Sequence, residues 1–362
     1  MSVTATPVSM SAWPAAGAHA ANTGRARDPR IDAAKAIAIL LVVFCHAKGV
    51  PHGMTLFAYS FHVPLFFMVS GWLAAGYASR TGLSQTVSKQ ARSLLLTYVT
   101  FYLLGYVYWL LTRNIGEKAA RWGSHPWWEP IVSMFTGIGP DLYVQPPLWF
   151  LPVMLVTVVG YVVLRRWMSP MLIAVASLIV AWFWMNWFPA QRVRIFFGLD
   201  VLPLSLCFYA LGALLIYFSP RLPKSLPGSA LATLLLAVPV AWLADANGRI
   251  DLNMLEFGRN HVLFLVSAVL GTLMVICAAR LVQSWAWVQW IGRNTLLILC
   301  THMLVFFALS GVAALSGGFG ASRPGLGWAV FVTLFALVAC VPLRWVLMRF
   351  APWTLGARPV VA

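Results

Sequence analysis

Ten runs of about twenty apolar residues follow one another along this chain, and a run of that length satisfies its own backbone in lipid only as a helix. They fall at 31–49, 56–77, 94–112, 148–165, 170–188, 199–218, 229–244, 261–281, 291–311 and 327–348, the seventh being the shortest. The runs are continuous rather than alternating, which argues against the strands of an outer-membrane barrel. Composition agrees, because 61% of residues are hydrophobic and only 9% are charged. The expected fold class is all-α: a polytopic integral membrane helix bundle of about ten transmembrane helices.

The formal net charge of +16 is spread through short loops, with no basic stripe or aromatic RNA-binding motif, so nucleic acid is not an expected partner. Loop charge instead orients the chain. Arg25, Arg27, Arg30, Arg80, Lys89, Arg92, Arg165, Arg166, Arg221, Lys224, Arg280, Arg349 and Arg358 share one side, which the positive-inside rule makes cytoplasmic. Glu117, Glu129, Asp141, Asp245, Asp251 and Glu256 fall on the other, and both termini are expected in the cytoplasm. Residues 1–28, rich in Ala, Ser, Pro and Gly and without an apolar signal-peptide core, read as a disordered cytoplasmic tail. Residues 29–350 read as the ten-helix membrane domain and 351–362 as a C-terminal cytoplasmic tail. No internal repeat of the inverted-transporter type is visible. Cys45, Cys207, Cys277, Cys300 and Cys340 lie inside apolar runs without metal-ligand spacing, so they read as buried thiols and no metal is expected.

Ionisable residues inside apolar runs are costly, and each marks a candidate site. The first run holds Asp32, Lys35 and His46. Lys35 and His46 are eleven residues apart, close to three helical turns, so they share a face about 16 Å long. That spacing fits a helix lining a polar passage. The plainer alternatives are a Lys35 that snorkels to the inner headgroups and an Asp32 that caps the helix or pairs with Lys35. His62, near the start of the second run, lies at a depth comparable to His46. His302 is embedded in the ninth, as a second catalytic candidate or as a hydrogen-bonding link between helices. Trp127 and Trp128, in the long outer loop 113–147, and Trp149 just after it are candidates for the acceptor side; an interfacial aromatic belt would use the same residue type.

No histidine is followed five residues later by Asp, and HExxH, GxSxG, GxGxxG and P-loop patterns are absent. What is present resembles the membrane-bound acyltransferase family 3. Lys35, ten apolar residues and His46 reproduce its opening basic residue and histidine, with Lys in place of the usual Arg. The segments 61–73, 147–155 and 291–303 are similar to its later motifs, and Lys89-Gln90-Ala91-Arg92 stands where the family shows Arg-x-x-Arg. The likeness runs over about 30–350 and is greatest to the branch of fucose 4-O-acetylases and exopolysaccharide O-acetyltransferases, xanthan-type polymers included.

This resemblance implies a bacterial inner-membrane O-acetyltransferase with His46 as catalytic base and His62 and His302 as further catalytic candidates. Lys35, Lys89 and Arg92 would bind the donor, acetyl-coenzyme A, which is a substrate rather than a bound cofactor. The acceptor would be a saccharide, free or lipid-linked, approaching from the outer side. A transporter or flippase for a lipid-linked saccharide is the alternative from another class.

Overall fold

The computed structural model describes residues 28–75, 83–115, 117–315 and 324–355. The N-terminal tail expected over 1–28 lies outside them apart from Asp28, as does the end of the C-terminal tail. The described chain is almost wholly helical. Its helices are α1 (Pro29–His46), α2 (His52–Tyr59), α3 (His62–Ala75), α4 (Leu83–Thr112), α5 (Glu117–Trp122), α6 (Glu129–Thr136) and α7 (Phe150–Leu164). After these come α8 (Pro170–Trp187), α9 (Leu202–Phe218), α10 (Leu226–Asn247), α11 (His261–Val282), α12 (Ala286–Arg293), α13 (Thr295–Leu315) and α14 (Leu326–Phe350). Two short strands, β1 (Ile250–Asp251) and β2 (Glu256–Phe257), form an antiparallel hairpin between α10 and α11.

Helix starts follow local chemistry. Ser169, Ser225 and Asn260 each accept a backbone N–H of the first turn, and Pro170 supplies a preset φ behind Ser169. Asp28 caps α1 by accepting the N–H of Arg30, which leaves Asp32 to pair with Lys35 rather than cap.

Nine helical segments among the described residues are long and apolar enough to cross a membrane. They correspond to the second to tenth runs of the sequence. The first, α1, has 18 residues and carries Arg30, Asp32 and Lys35, so apolarity alone does not qualify it. It is nevertheless central, packed against α3, α11, α12, α13 and α14. The seventh run, short in sequence, becomes the full 22-residue α10.

Two runs expected to be continuous are broken. The second divides into α2 and α3 at Ser60–Phe61, with His62 the first residue after the break. The ninth divides at Asn294, so α12 is a separate short helix; Asn294 Oδ1 accepts from Arg344 Nε at 2.6 Å. Breaks at membrane depth survive where protein surrounds them. The loop residues 119–147 also turn partly inward. Gln145 is fully buried and donates to the carbonyl of Cys300 at 3.0 Å, and Trp122 stacks on Tyr143 at 4.4 Å. The first residues after α14 pack too, since Thr97 donates to the carbonyl of Thr354 at 2.7 Å.

Helices meet through small residues. Gly71 of α3 and Gly212 of α9 face one another so closely that a Cβ on the first would strike the carbonyl oxygen of Tyr209 and one on the second that of Met68. Such small-residue crossings replace the hydrophobic drive that lipid cannot provide.

Candidate active site

A cavity of about 760 Å³ runs through the centre of the bundle. Helix α1 forms one wall with a stripe of Lys35, Ile39, Val42 and His46, spaced by four, three and four residues as one helical face requires. The broken segment α2–α3 supplies Tyr59, His62, Phe66 and Ser70; α7 supplies Phe150, Met154 and Val158; α9 supplies Tyr209; and α13 supplies Thr295, Leu296 and Leu299. Gln90 and Leu94 of α4 also reach the wall.

The two ends differ in chemistry. Near the start of α1, Lys35 Nζ lies 3.7 Å from Asp32 Oδ1, and Asp32 Oδ2 lies 3.5 Å from Arg293 Nε. Asp32 is buried, so its charge is held by cations, Lys35 and Arg293 among them, rather than by water. Near the end of α1, His46 and His62 both face the cavity, while His302 sits behind His46 with ring centroids 5.2 Å apart. Tyr59 meets the His62 ring edge-on at 4.8 Å.

The three histidines share one local device. Nδ1 of His46 lies 2.7 Å from the carbonyl of Val42, Nδ1 of His62 2.8 Å from that of Ala58, and Nδ1 of His302 2.8 Å from that of Ile298. A carbonyl only accepts, so in the neutral ring each Nδ1 keeps the proton and donates it. Each Nε2 is left with its lone pair. For His302 that atom is buried with no hydrogen-bond partner among the described residues. On the cavity, the same arrangement gives His46 and His62 an oriented basic nitrogen.

Of the residues singled out from sequence, Lys35, His46, His62 and Trp149 line the cavity. His302 supports it from behind and is not itself on the wall. Trp127 and Trp128 are exposed on the loop, away from the cavity lining, and so is Arg92 on α4. Lys89 lies in α4, but its side chain is outside the described residues. Sequence reading missed Tyr59, Gln90, Tyr209 and the five residues Ile250–Met254, which also line the cavity. Asp251 had one signal, an acid in a short loop with Gly248 and Gly258 on either side, but its inward placement depends on the hairpin. Outside the helices of the cavity, burial holds the Asp141 carboxyl above its usual range, opposed by Arg194 and reinforced by Glu129.

The arrangement suits transfer between two substrates entering from opposite ends, one anionic and one able to surrender a hydroxyl proton. No group of His, Cys, Asp and Glu among the described residues is spaced to hold a metal ion. A family model described as an acyltransferase domain matches residues 28–345, from the cap of α1 through most of α14. Neither a curated protein nor a solved structure matches the chain. The family match takes in every element that builds the cavity, and the chain therefore belongs to acyltransferase family 3 and is a multi-pass membrane acyltransferase.

Proposed function

We propose that the protein moves an acetyl group from acetyl-coenzyme A to a sugar hydroxyl of an exopolysaccharide or lipid-linked saccharide at the bacterial inner membrane, as in the fucose and xanthan-type O-acetylase branch. The observation that carries this reading is a single cavity with Lys35 towards one end and the bases His46 and His62 towards the other. Lys35 and His46 are separated by about 16 Å along α1.

With both termini in the cytoplasm, coenzyme A phosphates meet Lys89 and Arg92 at the start of α4 and the thioester arm enters past Lys35. The acceptor comes from the opposite end. Nε2 of His46 takes the hydroxyl proton as the oxygen attacks the thioester carbonyl; the new C–O bond forms, the C–S bond breaks, and coenzyme A leaves as thiolate, to be protonated from His46. His62 orients the acceptor or shares the proton. His302 holds the back of the His46 ring.

The test compares the acetyl content of surface and secreted glycans from cells with and without the protein, alongside acetyl-coenzyme A binding by the purified protein. Loss of glycan acetylation together with donor binding abolished by replacing Lys89 and Arg92 supports the reading. Unchanged acetylation, impaired glycan export and no donor binding would instead identify a saccharide flippase. Reporter fusions after residue 225 reading cytoplasmic, and near 250 extracytoplasmic, support the orientation; the reverse pattern overturns it.

A further inference from the structure

Between α10 and α11 the chain forms the only strand pairing among the described residues, with Ile250 opposite Phe257 and Asp251 opposite Glu256. The hairpin turns inward instead of capping the bundle. Ile250, Leu252 and Phe257 are buried, and Ile250–Met254 form part of the cavity wall that also carries His46, Tyr59 and His62.

Its shape is fixed from its base. Asn247, fully buried, donates through Nδ2 to the carbonyl of Phe257 at 3.1 Å and accepts the N–H of Asn260 at 2.7 Å. Gly248 and Gly258, at φ of +77° and +78°, supply the left-handed turns on either side. At the tip, Asp251 Oδ1 accepts the N–H groups of Asn253 and Met254 at 3.0 and 3.3 Å, while Oδ2 lies 3.5 Å from Arg249. Asn253 Oδ1 is shut from water and has no hydrogen-bond partner among the described residues. A Cβ on Gly139 would run into that oxygen and approach the Cβ of Trp149, so the amide oxygen packs on Gly139 near the base of the Trp149 side chain.

A rigid element that presents a carboxylate and the Nδ2 end of an amide, on a wall shared with an indole and two bases, has the parts needed to hold a polyhydroxylated ring. Sugar hydroxyls both donate and accept, which a carboxylate and an amide answer from fixed positions, and the C–H face of the ring packs on an aromatic surface. We propose that the hairpin is the acceptor subsite and that it selects an uncharged sugar. The ring lies on Trp149, adjacent hydroxyls bond Asp251 and Asn253, and the next hydroxyl is presented to Nε2 of His46. The Asp251 carboxylate, held in place by the N–H groups of Asn253 and Met254, repels uronate and sugar-phosphate rings.

This assignment rests on the sugar-acetyltransferase reading above, and the experiment separates the two. Full-length protein in lipid nanodiscs is given radiolabelled acetyl-coenzyme A and chemically deacetylated glycan from a strain lacking the protein. Asp251→Asn and Asn253→Ala are expected to raise the glycan concentration for half-maximal transfer about tenfold to a hundredfold, with acetyl-coenzyme A affinity within twofold of the unsubstituted protein. Methyl glucoside should compete with the glycan and glucuronate should not.

If both variants keep the unsubstituted acceptor dependence, or glucuronate competes equally, the subsite falls while the sugar reading stands. If the unsubstituted protein binds donor but acetylates no glycan, the sugar reading falls and takes the subsite with it. Should Asp251→Asn fail to fold, Met254→Cys decides. Its labelling by a membrane-impermeant maleimide, above the background of Cys45 in the unsubstituted protein, should be blocked by glycan and not by acetyl-coenzyme A; labelling unaffected by glycan overturns the proposal.

Discussion

Helix α1 carries Arg30, Asp32 and Lys35 within its first seven residues, and yet half of its residues are buried and it packs against six other helices. Helix α10 has no charged residue before Asp245 and turns Leu231, Leu234, Leu235, Val238 and Trp242 outward. In water these two placements would be reversed. Here the surroundings are apolar, so an outward leucine costs nothing, whereas a charge is retained only where another charge or a substrate compensates it. The charge-bearing α1 is therefore drawn inward, where it lines the cavity, while the apolar face of α10 is left outward.

That contrast is broken most directly at the inner end of the scale. Replacing His46 by Ala should lower acetyl transfer by about 100 to 10,000-fold, the usual cost of removing a general base, with normal membrane insertion and acetyl-coenzyme A binding. Turnover assays on purified protein decide it. If more than about a tenth of the rate remains, His46 is not the base.

Lys35→Met should raise the KM for acetyl-coenzyme A about tenfold or more, the value of a charged hydrogen bond, and also loosen Asp32, which loses one of its cations. Lys35→Arg keeps the charge and should restore most of the loss. Equal kinetics in all three proteins would reduce Lys35 to a snorkelling residue.

Where α3 and α9 cross, packing rather than charge is under test. Gly212→Val drives a side chain into the Met68 backbone, and an overpacked interior commonly loses about 1–3 kcal/mol. A fall in melting temperature and in the monodisperse fraction in detergent is expected; unchanged values would mean that the two helices are not in contact as described.

The smallest effect is expected on α10. Leu234→Ala, on an outward position 67% exposed, should change stability by less than about 0.5 kcal/mol and leave transfer untouched. A loss comparable to that of Gly212→Val would show that this face is covered by protein and would weaken the contrast with α1.

The sequence by itself determined that the chain is helical and lies in a membrane, because apolar runs of about twenty residues have no other way to satisfy their backbone in lipid. It also determined the shared face of Lys35 and His46, because the helical repeat converts a spacing of eleven residues into one direction. The same arithmetic is silent where helices break or contacts join distant segments. Ser60–Phe61 and Asn294 interrupt runs whose hydropathy is unbroken, since the interruption is held by neighbours such as Arg344 rather than by local composition. His302 reaches His46 across 256 positions of chain only because α1 and α13 pack together. The hairpin at 250–257 was hidden for the same reason: two-residue strands leave no periodic signature, and only their pairing and the grip of Asn247 turn Asp251 and Asn253 into the cavity.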